Sequence, residues 1–167
     1  MRIPRFRGPL RIGLVVAALA AAALLVAAPG SASTSIAFAG SFQNTSSVVT
    51  SFRQADGNTF ISQIVQVVYS GDLSGPVVEH IDLVIHSDGT LNFNGADVCT
   101  CTVAGTGLSG MIVLPFAGTG DANGAASGHF TIGDGTGGLA NMHGVGRFQS
   151  SDGGSSGPFS GLYHFDP

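Results

Sequence analysis

Glycine does most to limit what this chain can fold into. Three of its 26 glycines precede residue 33; the other 23 fall in residues 33–167, about one residue in six, where an average chain has about 7 %. Each glycine inside a helix costs roughly 1 kcal/mol relative to alanine, and a helix of three turns drawn from this stretch would carry about two. No window after residue 33 sustains apolar residues at i, i+3, i+4 and i+7, whereas alternation with a period of two recurs. Glycine of this density suits turns, bulges and sharply coiled strands. The stretch reads as one all-β domain.

The alternating runs predict strands near residues 35–43, 46–55, 59–71, 76–87, 90–102, 110–118, 126–133, 143–150 and 158–165. Turn signals separate them: Asp56-Gly57-Asn58, Asp72 to Gly75, Ser87-Asp88-Gly89 and Gly118 to Gly124. Asp-Gly between alternating runs marks a hairpin, because both central residues of a type I′ turn need positive φ. The connections are short, so neighbours in sequence are expected to be neighbours in the sheet. Eight or nine such strands in one domain are expected to close on themselves, which removes exposed edges. Gly133 to Asn141 is the longest irregular stretch, with room for one helical turn.

Residues 1–32 read differently. Arg2, Arg5, Arg7 and Arg11 precede an apolar run from Ile12 to Ala28, then Pro29, Gly30 and small residues, the pattern of a secretory signal. Gly30-Ser31-Ala32 predicts cleavage after Ala32, with Ala37-Phe38-Ala39 a second possibility and an uncleaved anchor helix the alternative. The expected organisation is a signal over 1–32 and a single domain over 33–167, exported and free of the membrane after cleavage. Beyond residue 33, only Arg53 and Arg147 face ten acids, a net charge of −8, and the whole chain lacks lysine. So few cations argue against binding nucleic-acid phosphates or anionic lipid.

Several segments occur together in order: Asp56-Gly57, Tyr69 to Gly75, Ser87-Asp88-Gly89-Thr90 and, most specifically, Gly135-Thr136-Gly137-Gly138-Leu139-Ala140-Asn141-Met142-His143-Gly144-Val145-Gly146-Arg147-Phe148. In these the chain resembles the bacterial domain-of-unknown-function family 3224, over about residues 39–166. That family is similar in turn to the allene oxide cyclase and dirigent barrels. The resemblance implies a closed antiparallel barrel of about eight strands with a lumen, often assembled as a homo-oligomer, and brings no established activity. The export signal and the cysteine pair depart from its cytoplasmic members.

The candidate site residues follow from alternation. Glu79, the only glutamate, shares a face with Val77, Ile81, Leu83 and Ile85. Desolvation there would raise its pKa and suit it to general acid or base work. Pro76 marks a strand start close by, where a bulge could instead turn Glu79 to water. If Glu79 enters the lumen, Asp97 on the next strand is its expected polar neighbour, and Tyr163 a further assisting group. Phe60, Phe93, Phe116 and Phe148 are candidates to line a ligand cavity, one of two fates open to phenylalanines in a barrel just wide enough to pack shut or hold one small ligand. Glycine-rich strands such as Gly144-Val145-Gly146 leave room on one face, which favours the cavity.

Cys99 and Cys101 are the only cysteines. In a regular strand residues i and i+2 lie about 6.6 Å apart, so an intrachain disulfide requires a kink, which Gly95 or Gly105 could permit. Two reduced thiols, an interchain bond or a metal site are the alternatives. His80, Asp82 and His86 share the face opposite Glu79, but His86 lies about 20 Å from His80 along an extended strand, and the group reads as a solvated face rather than a metal site. Gly105, Gly107, Gly110 and Gly133, Gly135, Gly138 match Gly-x-Gly-x-x-Gly without a following helix, so no dinucleotide cofactor is expected. Gly157-Pro158-Phe159-Ser160-Gly161 places its serine one position late for a hydrolase elbow. The expectation is an exported barrel binding a small apolar molecule in its lumen. The alternatives are a cyclase or isomerase using Glu79, and a structural or interaction barrel acting as an oligomer.

Overall fold

The computed structural model describes residues 34–167; the export signal expected over residues 1–32 lies outside them. The described chain forms eight strands: β1 (Ile36–Ala55), β2 (Asn58–Gly71), β3 (Leu73–Ile85), β4 (Leu91–Val103), β5 (Ser109–Gly120), β6 (Ala126–Ile132), β7 (Met142–Ser150) and β8 (Ser156–Phe165). Each pairs antiparallel with its neighbours in sequence, and Ile36–Gln43 of β1 pairs with Ser156–Tyr163 of β8 to close the barrel. The expected helical turn is a 3₁₀ turn over Gly137–Leu139.

The two runs expected near 35–43 and 46–55 are a single strand. Polar Asn44-Thr45-Ser46 looks like a break but is a β-bulge, and a second bulge lies between Val49 and Ser51. The extra residues, Thr45 and Thr50, each donate a hydroxyl hydrogen bond of 3.1 Å to β2, to the carbonyls of Gln66 and Ser62. Each bulge switches which alternate residues face inward. Asn44 pairs with inward Val67, Ser47 with inward Val65, and Phe52 with Ile61. Beyond Gln43, among the described residues, β1 pairs with β2 alone and overhangs the barrel, leaving Val49 and Phe52 exposed.

The hairpin turns follow their local chemistry. Asp56 and Gly57 both adopt positive φ, 51° and 77°, as a type I′ turn requires. Asp88 accepts from the amide and hydroxyl of Thr90, and Asp121 from the amides of Asn123 and Ala125. Asp152 accepts from the hydroxyls of Ser150 and Ser156. These three turns and the Asp56-Gly57 turn lie at one end of the barrel.

Inside, one pairing rule recurs. Seven inward phenylalanines each stand directly across from an inward glycine on the neighbouring strand: Phe38 with Gly161, Phe42 with Gly157, Phe159 with Gly40, Phe93 with Gly118, Phe116 with Gly95, Phe130 with Gly146 and Phe148 with Gly128. Each ring lies over the missing side chain. A Cβ on Gly40, Gly118 or Gly128 would sit 2.5 Å from the facing ring's Cζ. This is the aromatic-over-glycine device that pins register and curvature in barrels. The room that glycine leaves is therefore taken up by rings. At Gly144-Val145-Gly146, expected to open space, Phe130 covers Gly146 and the Ile132 side chain covers Gly144.

The end opposite the aspartate turns is packed shut. Leu73, Val103, Ile112, Leu139 and Met142 are all fully buried there, and Leu139 brings the 3₁₀ turn across that end. Cys99 and Cys101 are disulfide-bonded in this part of the core, with Cα atoms 5.3 Å apart. The strand is shortened against the 6.6 Å or so of a regular one. Neither Gly95 nor Gly105 makes the kink. Opposite it, the β3–β4 pairing is interrupted between Ser74 and Val77, where Pro76 has no N–H and Gly75 has φ of 149°. With no Cβ on Gly75, the Thr100 carbonyl can press against β3.

Candidate functional site

Glu79 points into the lumen. The link at Asp72 sets Val65 against Glu79, and the β3–β4 register sets Glu79 directly against Asp97. Two carboxylates thus lie side by side on one inward face, between Val77 and Ile81 on β3 and between Gly95 and Cys99 on β4. From β2, the Tyr69 hydroxyl donates a hydrogen bond to Oδ2 of Asp97. Asp97 is 6 % exposed, and no amide or alcohol group donates to its Oδ1.

Such a cluster cannot ionise as it would in water. Burial, then the Asp97 charge and a hydrogen bond with it, push the Glu79 carboxyl up to about 8. Burial also raises Asp97, to about 6, while hydrogen bonds from Tyr69 and Glu79 pull the other way. Burial, followed by the Asp97 charge, holds the Tyr69 phenol well above its ordinary value. Between the two carboxyl values the pair holds one proton and a net charge of −1.

Two cavities meet at this cluster. One of about 40 Å³ is bounded by Tyr69, Glu79 and Asp97 and by the rings of Phe42, Phe116 and Phe148 among others. A second, of about 100 Å³, extends toward the aspartate turns between Gln63, Leu83, Leu91 and Phe93, with Gly124 and Gly153 at its rim. Glu79 and Phe116 border both.

Among the residues expected to line a ligand cavity, Phe93, Phe116 and Phe148 form one aromatic group, with ring centroids 6.0–6.3 Å apart. Phe60 does not join them. It pairs with Val84 on the outer face, while its neighbour Ile61 pairs with inward Leu83, and the Arg53 guanidinium lies 4.0 Å from its ring centroid on the outside. Tyr163 is inward but distant from the acids. It packs against Phe38 and Phe165 and borders neither cavity. Tyr69 occupies the place expected of it. The sequence signal for Tyr69 was its position on the Val65–Val67 face; its reach to Asp97, two strands away, is a tertiary feature.

The histidines stay outside. His80 and Asp82 are exposed, and Asp82 accepts from the Ser62 hydroxyl at 2.6 Å. His86 hydrogen-bonds Asn58 and Asn92. His143 and His164 are cross-strand partners, 3.4 Å and 3.3 Å from the Asp166 carboxylate. No group of three potential metal ligands occurs among the described residues.

Fold and site together define a small closed β-barrel with an aromatic interior and a buried acidic pair. The family model described as "Protein of unknown function (DUF3224)" matches residues 38–160, and the chain belongs to that family. Among solved structures, it is similar to the crystal structure of a protein of unknown function from the same family, from Shewanella oneidensis MR-1. The two are 15 % identical and superpose with a TM-score of 0.62 over 80 % of this chain and 100 % of the other. No curated protein matches.

Proposed function

We propose that this protein binds a small, largely apolar molecule in the barrel lumen, with Tyr69, Asp97 and Glu79 as the polar anchor. The observation that carries the reading is the cavity of about 100 Å³ walled by Leu83, Leu91, Phe93 and Phe116, with Asn44, Gln63 and Glu79 as its polar side chains. Ligand sites characteristically combine apolar walls with a few convergent polar groups. The volume also limits the guest. A cavity of roughly 150 Å³ accommodates benzene, so the guest is either a molecule of that order or the end of a longer one. A longer guest would leave through the mouth, past the exposed Val49 and Phe52 of the β1 overhang. The Cys99–Cys101 disulfide supports export, since such bonds persist in oxidising compartments.

Incubation with a panel of small apolar compounds and a lipid extract, followed by native mass spectrometry and thermal shift, tests the reading. Retention of one guest per barrel, lost on Phe93→Trp, is the expected result. A barrel that emerges empty and gains no thermal stability from any of them would overturn it.

One observation favours a second reading, proton-transfer catalysis of the cyclase or isomerase kind. Glu79, with its carboxyl raised to about 8, keeps its proton at neutral pH and can act as a general acid in a desolvated site. Turnover of a small polyunsaturated epoxide or enone that disappears in Glu79→Gln would support it. Binding without turnover would leave the carrier reading alone.

A further inference from the structure

We propose that the lumen takes a small organic ammonium, a protonated amine on a short apolar chain, with its N–H groups on Asp97 and Glu79 and its tail toward the mouth. This rests on the lumenal-binding reading and names the chemistry of the guest.

The first observation is a buried acceptor short of donors. Asp97 borders the 40 Å³ cavity with its Oδ2 taken by Tyr69, and its buried Oδ1 has no donor besides the Glu79 carboxyl while that holds the shared proton. Leaving a buried carboxylate oxygen unpaired is costly, so such groups ordinarily have a partner. Glu79 borders the same cavity from the adjacent strand. An ammonium offers three N–H donors to this pair of carboxyl groups.

The second observation is that no side chain can play the cation's part. Tyr69 from β2, Glu79 from β3 and Asp97 from β4 are the polar groups bordering the cavity. The other five strands present only aromatic rings there: Phe42, Phe116, Phe130, Phe148 and Phe159. Of the two arginines in the described residues, Arg53 lies over Phe60 outside and Arg147 is exposed. The histidines all belong to the outer face.

Third, the lining discriminates among guests. Aromatic faces attract cations through the ring quadrupole. A carboxylate guest would meet two carboxyl groups with no compensating positive charge. A neutral alcohol could donate one hydrogen bond, and would gain nothing from the rings beyond apolar contact. With one proton held by the pair near neutral pH, an ammonium that displaces it to solvent leaves the net charge of the site where it was, at −1.

The test uses n-butylammonium, 1-butanol and butyrate as probes of equal chain length, titrated calorimetrically into the protein at pH 6, 7 and 8 in buffers of different ionisation enthalpy. The expected result is n-butylammonium binding at least tenfold tighter than 1-butanol, no binding of butyrate, proton release, and affinity that rises with pH. Asp97→Asn and Glu79→Gln are each expected to weaken the amine at least tenfold more than they weaken 1-butanol, and an unchanged circular dichroism spectrum reports that the variants are folded. Equal binding of the amine and the alcohol, or amine binding indifferent to both substitutions, overturns the ammonium assignment while lumenal binding stands. Failure of all three probes to bind at millimolar concentration overturns the assignment, and the lumenal reading falls with it only if the apolar panel also fails.

Discussion

The two ends of the barrel use the same strands in opposite ways. At one end Leu73, Ile112, Leu139 and Met142 are at most 1 % exposed, and a disulfide joins neighbouring inward positions of β4. At the other, four turns satisfy themselves locally through Asp56-Gly57, Asp88, Asp121 and Asp152, and the interior between them holds a cavity of about 100 Å³. The Asp152 turn also binds the Asp121 turn through Gly153 and Gly124 and accepts from Asn44, so the turns brace one another around the opening. The acidic pair lies where the packed and hollow halves meet. The densest packing is at the closed end, and the acidic pair borders the cavity that extends toward the mouth.

Truncating matched leucines tests that division with the largest expected effect. Leu139→Ala at the closed end removes a fully buried side chain, and such changes cost about 2–5 kcal/mol because the cavity cannot collapse. Leu83→Ala at the mouth removes a half-buried side chain that already borders open space, with an expected cost of about 1 kcal/mol. Chemical denaturation of both variants measures the difference. Equal losses would mean that the two ends share one uniformly packed core.

The acidic pair gives the next largest effect, through pH. Both carboxyls are raised on folding, Glu79 from 4.5 to about 8 and Asp97 from 3.8 to about 6. The folded state therefore binds more protons than the unfolded state across this window, and stability falls as pH rises from about 4 to about 8. The loss is on the order of a few kcal/mol. Glu79→Gln removes the larger share, so the variant should match the parent at pH 4–5 and exceed it at pH 8–9. Thermal melts across that range decide it. A parent whose melting temperature is flat, or rises, between pH 5 and 8 would place the pair in water.

How much of this is legible in the sequence depends on how far apart the interacting residues lie. Asp56-Gly57 and Ser87-Asp88-Gly89 announce their turns because the φ requirement is local. Alternation along β3 and β4 places Glu79 and Asp97 inward, and the short link between those strands places them together. Alternation fails where a bulge intervenes: the polar Asn44-Thr45-Ser46 reads as a strand break, because nothing local shows Thr45 and Thr50 bonding back to β2. In β2, Phe60, Ile61 and Ile64 put apolar groups on both faces, so the outward placement of Phe60 is settled only by register against β3. The pairing of rings with glycines is invisible along the chain, since each pair joins residues from different strands. Read as composition, the glycines suggest open space; read in register, they are the seats of the rings.

That register pairing supplies the finest test of the two ends, because the same device occurs at both. Phe38 lies over Gly161 and is 4 % exposed, packed against Phe130, Phe159 and Tyr163. Phe148 lies over Gly128 but is only partly buried and borders a cavity. Neither glycine has positive φ, so an added methyl group meets a steric obstacle and no backbone strain. In both positions the methyl also meets a facing backbone carbonyl, that of Val145 at Gly161 and that of Ala117 at Gly128, so only part of each cost belongs to the ring. Overpacking of this kind costs about 1–3 kcal/mol. Gly161→Ala is expected at the upper end of that range and Gly128→Ala about 1 kcal/mol lower, because Phe148 has space to swing into and Phe38 has none. The swing has a price at the site: Gly128→Ala should shrink the cavity and weaken guest binding, whereas Gly161→Ala should leave the affinity of the folded protein unchanged. Adding Phe148→Leu to Gly128→Ala relieves the ring's part of the clash and leaves that with the Ala117 carbonyl, so the double variant should be more stable than the sum of the two single losses implies. Strict additivity, measured in a double-mutant cycle, would mean that ring and glycine do not touch.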